Sequence, residues 1–191
     1  ALTIDEVGMA KTRERKLEIA RKIHDIVVDE YGLSPGDLVF DALTFTLATG
    51  DAEWIESARE TIEGIRLIKR ELPGVFTILG VSNVCFGLSP VARAVLNSVF
   101  LHHCVQAGLD AAIVNPAHVT PYAEIPPDER ELANALVFNK SPDALQRFIE
   151  HFAQSEGGTA TTDTTREDPT AGMTPDQRVH WMIVHRKKEG I

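Results

Sequence analysis

Cysteine is almost absent from this chain of 191 residues, which carries only Cys85 and Cys104. Two thiols cannot make a four-ligand metal centre by themselves. Their flanks, Val84-Cys85-Phe86 and His103-Cys104-Val105, read as a strand end and a helix interior, where a thiol is a buried apolar filler. Adjacent helical residues point in different directions, which disfavours a metal shared by Cys104 and His102 or His103. No metal is expected in this segment. No stretch resembles a secretory or membrane-spanning segment, so a reducing cytoplasm and no membrane partner are expected. Positive charge is also scarce: 19 Lys and Arg against 28 Asp and Glu leave a net charge of -9, which argues against a nucleic-acid partner. Acidic clusters such as Asp128-Glu129-Arg130-Glu131 read as solvated helix starts. The G-x-G-x-x-G and G-x-x-x-x-G-K-[ST] patterns are missing, which removes support for dinucleotide and P-loop sites. No nucleophilic Ser–His–Asp set lies in sequence reach.

What the chain does have is a recurring unit in which an apolar run ends in one Asp or Asn. The copies are Leu38-Val39-Phe40-Asp41, Ile78-Leu79-Gly80-Val81-Ser82-Asn83 and Ala111-Ala112-Ile113-Val114-Asn115, with a truncated copy in Leu2-Thr3-Ile4-Asp5. An amphipathic helical pattern follows each. Short apolar runs alternating with helices read as parallel strands buried on both faces, in a barrel or an open doubly wound sheet. Such strands present their carboxyl ends on one shared face, where ligands bind.

Thr12 caps a helix running to about Tyr31, which Gly32 and Pro35 end. The next helix carries Trp54, Ala58, Ile62, Ile65, Ile68 and Leu72, and Pro90 starts another. After a loop come a helix to about Phe138 and a last one capped by Ser141 with Pro142 in its first turn. Residues 1–153 are thus read as one β/α domain. The Thr-, Asp- and Gly-rich stretch 154–172 reads as a linker. Residues 173–191 start one more helix, from Thr174-Pro175, either as the beginning of another domain or as a helix that packs on a neighbour.

Asp5, Asp41, Asn83 and Asn115 offer carboxylates and amides, which suit a ligand with in-plane ring donors and acceptors. The alternative is that each caps the turn after its strand. Gly80 and Gly87 bracket Asn83 and are expected to allow close backbone approach and a tight turn. His102, on a helix stripe, reads as a packing residue, and His118 as a weaker site candidate.

Gly80-Val81-Ser82-Asn83-Val84-Cys85-Phe86-Gly87-Leu88 closely resembles the G-x-S-N-x-S-F-G-L segment in the folate-binding domain of cobalamin-dependent methionine synthases. So do Ile4–Ala10, Phe40–Phe45, Glu60–Ile65, Leu96–Leu101 and Ala111–Pro116, in the right order. The resemblance implies a fold: the C-terminal portion of a (β/α)8 TIM barrel of the pteroate-synthase type, followed by a linker and one helix of a cobalamin-cap domain. It implies a substrate, 5-methyltetrahydrofolate, whose N5 methyl goes to cob(I)alamin bound by another domain. It assigns Asn83 to N5 as the catalytic residue and Asp41 to the pterin ring. Asn115, Asp5, Ser82 and Phe86 join the substrate-binding set, and Arg93 approaches the folate tail. Two positions depart from the pattern. Ala42 replaces a frequent Pro, which is expected to loosen the strand end, and Cys85 replaces Ser, a better donor.

A whole barrel takes about 250 residues, whereas only three strands and the end of a fourth are legible. The chain also begins at Ala1 without Met, as a fragment does. A complementary half-barrel or self-association is therefore an expected partner, beside folate and the cobalamin domain of the same enzyme. The alternatives are a methyltetrahydrofolate:corrinoid protein methyltransferase and a non-catalytic half-barrel. A pteroate-synthesising enzyme is disfavoured because no basic phosphate-binding loop follows the last strand.

Overall fold

The computed structural model describes residues 1–157, with the side chains of 154–157 excepted, together with Thr174, Asp176, Gln177, His180 and Trp181. The chain forms two units, Ala1–Gln154 and Ser155–Ile191.

The first unit is organised by a sheet of three parallel strands in chain order, β3 (Val39–Asp41), β4 (Phe76–Gly80) and β5 (Ala111–Ile113). Val39 stands opposite Phe76, Asp41 opposite Ile78, and Gly80 opposite Ile113. Sequential order lacks the reversal that creates a switch point in doubly wound sheets. The expected strand Leu2–Asp5 is divided. Leu2 pairs in parallel with Asp41, where the Asp41 N–H reaches the Ala1 carbonyl (2.8 Å) and the Thr3 N–H the Asp41 carbonyl (3.1 Å). Ile4–Asp5 (β1) then leaves the sheet to pair antiparallel with Gly8–Met9 (β2). Gly8, at φ 132°, supplies the backbone conformation that this reversal needs.

Helices α2 (Ser57–Glu71) and α3 (Pro90–Gln106) make the crossovers. Phe40 and Leu79 are buried in one core with Ile62, Ile65, Ile68, Leu96, Val99 and Phe100. Each such side chain stabilises the fold by roughly 1.5–3 kcal/mol on burial. The alternate strand positions Val39, Phe76 and Ile113 are exposed, so the helices cover one face of the sheet. Asp110, just before β5, ties the strands together. Its carboxylate accepts the Thr77 N–H (2.7 Å) and hydroxyl (3.1 Å) and pairs with Lys69 Nζ (2.9 Å). Burial pushes the Asp110 carboxyl up, but Lys69 and Thr77 outweigh it and hold the group below its usual range.

Several element boundaries differ from expectation. The first helix, α1 (Arg13–His24), has its Thr12 cap, with Oγ1 accepting the Arg15 N–H. Its continuation Asp25–Glu30 is π-wound, and the wider turn sets both Val27 and Val28 against the core. Trp54 lies ahead of α2, in a turn closed by its N–H on the Asp51 carbonyl, and its ring packs tilted against Phe45 with centroids 4.6 Å apart. The last helices are α4 (Pro127–Val137) and α5 (Ala144–Gly157). Ser141 does not cap α5. Its carbonyl takes the Ala144 N–H in the preceding turn, and the first helical bond runs from Arg147 N–H to the Asp143 carbonyl. Helix α5 continues past Gln154, where the linker was expected to begin, because Gln154, Ser155 and Glu156 lack apolar groups but do not break a helix.

In the second unit Asp176, Gln177, His180 and Trp181 are helical. The Thr174 N–H bonds Gln177 Oε1 (3.0 Å) and the Gln177 N–H bonds Thr174 Oγ1 (3.4 Å), a reciprocal N-terminal cap. The linker over 158–172 and most of 173–191 lie outside the described residues. Among the described residues no helix is long and apolar enough to cross a membrane, and no group of three or more His, Cys, Asp or Glu is arranged to hold a metal.

Candidate functional site

Parallel pairing in chain order carries the residues that follow β3, β4 and β5 to one edge of the sheet. Two cross-links join the first two connections: Thr46 Oγ1 donates to the Phe86 carbonyl (2.8 Å), and the Leu47 N–H to the Val84 carbonyl (3.0 Å). Asp41, Ser82, Asn83 and Phe86 therefore sit on one rim, with Arg93 in the first helical turn beyond it.

Asp41 ends β3 half-buried, and its Oδ1 accepts the Leu43 N–H at 2.8 Å. Its Oδ2 has no hydrogen-bond partner among the described residues. Leu43 is held at φ 62°, a left-handed conformation that costs a branched residue about 1–3 kcal/mol. Several bonds hold it there. The Leu43 carbonyl accepts Thr61 Oγ1 (2.9 Å), and Lys16 Nζ donates to the Ala42 carbonyl at 2.6 Å. The turn is thus fastened without the proline that Ala42 replaces.

Asn83 lies exposed in the 3-10 turn Val81–Cys85 after β4. Its side-chain amide has no hydrogen-bond partner among the described residues. A Cβ placed on Gly80 would stand 3.1 Å from Asn83 Nδ2, so the missing side chain of Gly80 is what leaves room for this amide. Close approach explains Gly80, whereas Gly87, at φ 101°, is required by its turn. The Cys85 thiol donates to the Ser82 carbonyl, with Sγ at 3.1 Å. Phe86 is 72% exposed and offers a flat apolar surface beside the amide. The Arg93 guanidinium has no hydrogen-bond or ion-pair partner among the described residues.

The other sequence candidates are engaged locally. Asn115 Oδ1 accepts the Ala117 N–H (3.1 Å), capping the short turn Pro116–His118. Asp5 Oδ1 accepts the Val7 N–H (3.1 Å) and its Oδ2 accepts from the Arg15 guanidinium. Burial pushes its carboxyl up, yet the Val7 N–H and the Arg15 guanidinium prevail and hold it low. His118 is exposed at the end of the Asn115 turn. His102 stacks on Tyr122 at 3.9 Å, a packing role. Both thiols are buried, and burial pushes Cys104 well up from the usual thiol range.

Sequence reasoning missed Lys16, whose side chain is fully buried behind the Asp41 turn. The signal was present, since Lys16 lies one turn before Ile19 on the buried stripe of α1. A cavity of about 750 Å³ along α1, lined by Arg13, Leu17, Arg21 and Ile26 among others, takes in none of the strand-end residues.

The rim joins a carboxylate oxygen, an unpaired amide, an exposed aromatic ring and an unpaired guanidinium at the strand ends of a β/α sheet. That set has the chemistry to hold a flat, polar heterocycle with an anionic extension. Residues 2–115 match the family model for pterin binding enzymes, and the chain belongs to that family. Over its full length it is 40% identical to methionine synthase of Mycobacterium tuberculosis (strain ATCC 25618 / H37Rv) and to that of Mycobacterium leprae (strain TN). The chain spans 16% of the length of each of these relatives.

Proposed function

We propose that this chain is part of the folate-binding module of a methionine synthase, acting in the cytoplasm and presenting the N5 methyl of 5-methyltetrahydrofolate to cob(I)alamin held by another domain. The observation that carries this reading is the Asn83 amide, kept clear by Gly80 and without a partner among the described residues, on the same rim as Asp41, whose Oδ2 also has no hydrogen-bond partner among them. A tertiary amine is a poor leaving group, so methyl loss from N5 needs that nitrogen protonated or strongly hydrogen-bonded. An amide serves both states, accepting from N5–H⁺ through its oxygen or donating to the neutral nitrogen through its NH₂. Asp41 orients the pterin ring, Phe86 lies against it, and Arg93 attracts the carboxylates of the folate tail. Ser82, Asn115 and Asp5 complete the rim, the last two from positions already fixed by their own turns. The corrinoid supplies the nucleophile, and the rim supplies position, to which in-line attack is sensitive.

The sheet supports a second feature of this reading. Val39, Phe76 and Ile113 leave one face apolar and uncovered, which suits a half-barrel completed by further strands from the same polypeptide or another copy. Folate binding by this chain alone is accordingly weak or undetectable, and a sub-millimolar dissociation constant by calorimetry contradicts that. In a polypeptide that joins this segment to strands completing the sheet, Asn83→Ala is expected to weaken 5-methyltetrahydrofolate binding about tenfold or more, the loss of one hydrogen bond of about 1.4 kcal/mol. Undiminished affinity refutes the proposed contact.

A further inference from the structure

Lysine is rarely buried, and Lys16 is fully so, without an ion pair among the described residues. Its stem passes α2 at Gly64, where a Cβ would stand 2.6 Å from Lys16 Cδ. A glycine inside a helix is unfavourable by about 1 kcal/mol against alanine, and here it opens the notch through which the lysine passes. The ammonium emerges behind the rim and donates to the carbonyls of Ala10 (2.9 Å), Ala42 (2.6 Å) and Leu43 (3.4 Å). Two of these acceptors belong to the turn whose Leu43 N–H fixes Asp41.

We propose that Lys16 is a positioning residue for the pterin site, its ammonium holding from behind the strained turn that aims the Asp41 carboxylate. This inference rests on the pterin reading above. The groups facing Lys16 are the carboxylates of Asp41 from β3 and Glu60 from α2, the latter paired with Arg13, and the Phe45 ring at 5.4 Å. Burial pushes the Lys16 pKa down to about 8, with Glu60 and Asp41 opposing the shift. Above that pH the tether loses one of its three donors and its charge, and the turn is released from behind.

The first readout uses the full chain without ligand. The amide ¹⁵N shift of Leu43, followed by NMR, is expected to titrate with a midpoint near pH 8, and this titration is expected to vanish in Lys16→Met. Exchange of the Leu43 amide is expected to accelerate at least tenfold in Lys16→Met, while amides of Ile65 and Leu79 keep their protection. Gly64→Ala, which retains the lysine and fills its notch, is expected to accelerate Leu43 in the same way and decides the matter if Lys16→Met does not fold. The second readout is 5-methyltetrahydrofolate affinity in the polypeptide with a completed sheet. Wild-type affinity is expected to fall several-fold from pH 7 to 9, and Lys16→Met is expected to be weaker by tenfold or more at pH 7 with no such decline. A Leu43 amide that ignores both variants overturns the proposal, as does a disturbed amide with unchanged affinity and pH profile. A completed-sheet polypeptide of wild-type sequence that binds no folate at any pH overturns the pterin reading instead, and the amide readout then judges the hold on the turn.

Discussion

Gly80→Ala separates stability from binding at the rim. The φ of -76° and ψ of 81° at Gly80 are open to alanine, so the backbone does not resist the change. Replacing glycine at a compatible position raises stability by about 0.4–1 kcal/mol through the unfolded chain. Against this stands the 3.1 Å approach of the new Cβ to Asn83 Nδ2, which the amide must relieve by moving a few tenths of an ångström. In the free protein that movement costs little, because Asn83 is exposed and its amide unpaired. Urea denaturation is therefore expected to give stability equal to or slightly above wild type. Binding is different: the displaced amide must return or lose its bond to N5, about 0.5–1.5 kcal/mol, or roughly a two- to tenfold weaker affinity for 5-methyltetrahydrofolate. Calorimetry on the polypeptide with a completed sheet measures it. The same substitution made in an Asn83→Ala background is expected to have no further effect on affinity, since its action passes through that amide. Wild-type affinity in Gly80→Ala, or a full loss persisting without Asn83, refutes the reasoning.

Gly87→Ala meets only the Ala48 Cβ at an ordinary 3.6 Å, so its cost is conformational; φ of 101° predicts a loss of about 1–3 kcal/mol in urea denaturation. Asp110→Ala removes the acceptor of the Thr77 N–H and hydroxyl between β4 and β5 and is expected to lower stability by about 1–3 kcal/mol at pH 7. Because the folded-state pKa of Asp110 is depressed, its contribution is complete above the unfolded carboxylate pKa of about 3.9 and is lost as pH falls through the folded value. Denaturation curves of wild type and Asp110→Ala are thus expected to converge below pH 4, and a constant gap down to pH 2 contradicts the assignment.

The β/α alternation was legible because parallel strands are written as short apolar runs and each run here ends in a polar residue, although burial of both sheet faces was expected and one face is uncovered. Val39–Asp41 and Ala111–Ile113 fall inside their expected runs, and Phe76–Gly80 overlaps its run at Ile78–Gly80. The divided first strand was not legible, since the pairing of Leu2 and the departure of Ile4–Asp5 depend on a reversal at Gly8 that periodicity does not report. At the site, Asn83 stood out as the polar end of its apolar run and Ser82-Asn83 by the family resemblance, and Gly80 nearby was expected to permit close approach, although which atom approaches needed coordinates. Lys16 stayed hidden because a lysine on a helix is ordinarily read as solvated, whatever stripe it occupies. Its burial depends on a glycine in another helix, and no local pattern links residues 16 and 64.

The thiol of Cys85 adds a practical consequence to its bond with the Ser82 carbonyl. Locked there and shielded from solvent, it meets an alkylating reagent only when the loop after β4 springs open. Cys104, deep in α3 and with its thiol pushed well above the usual range by burial, stays silent under the same treatment. The chain thus carries its own chemical clock, one sulfur counting the openings of the Ser82-Asn83 loop while the other keeps the baseline.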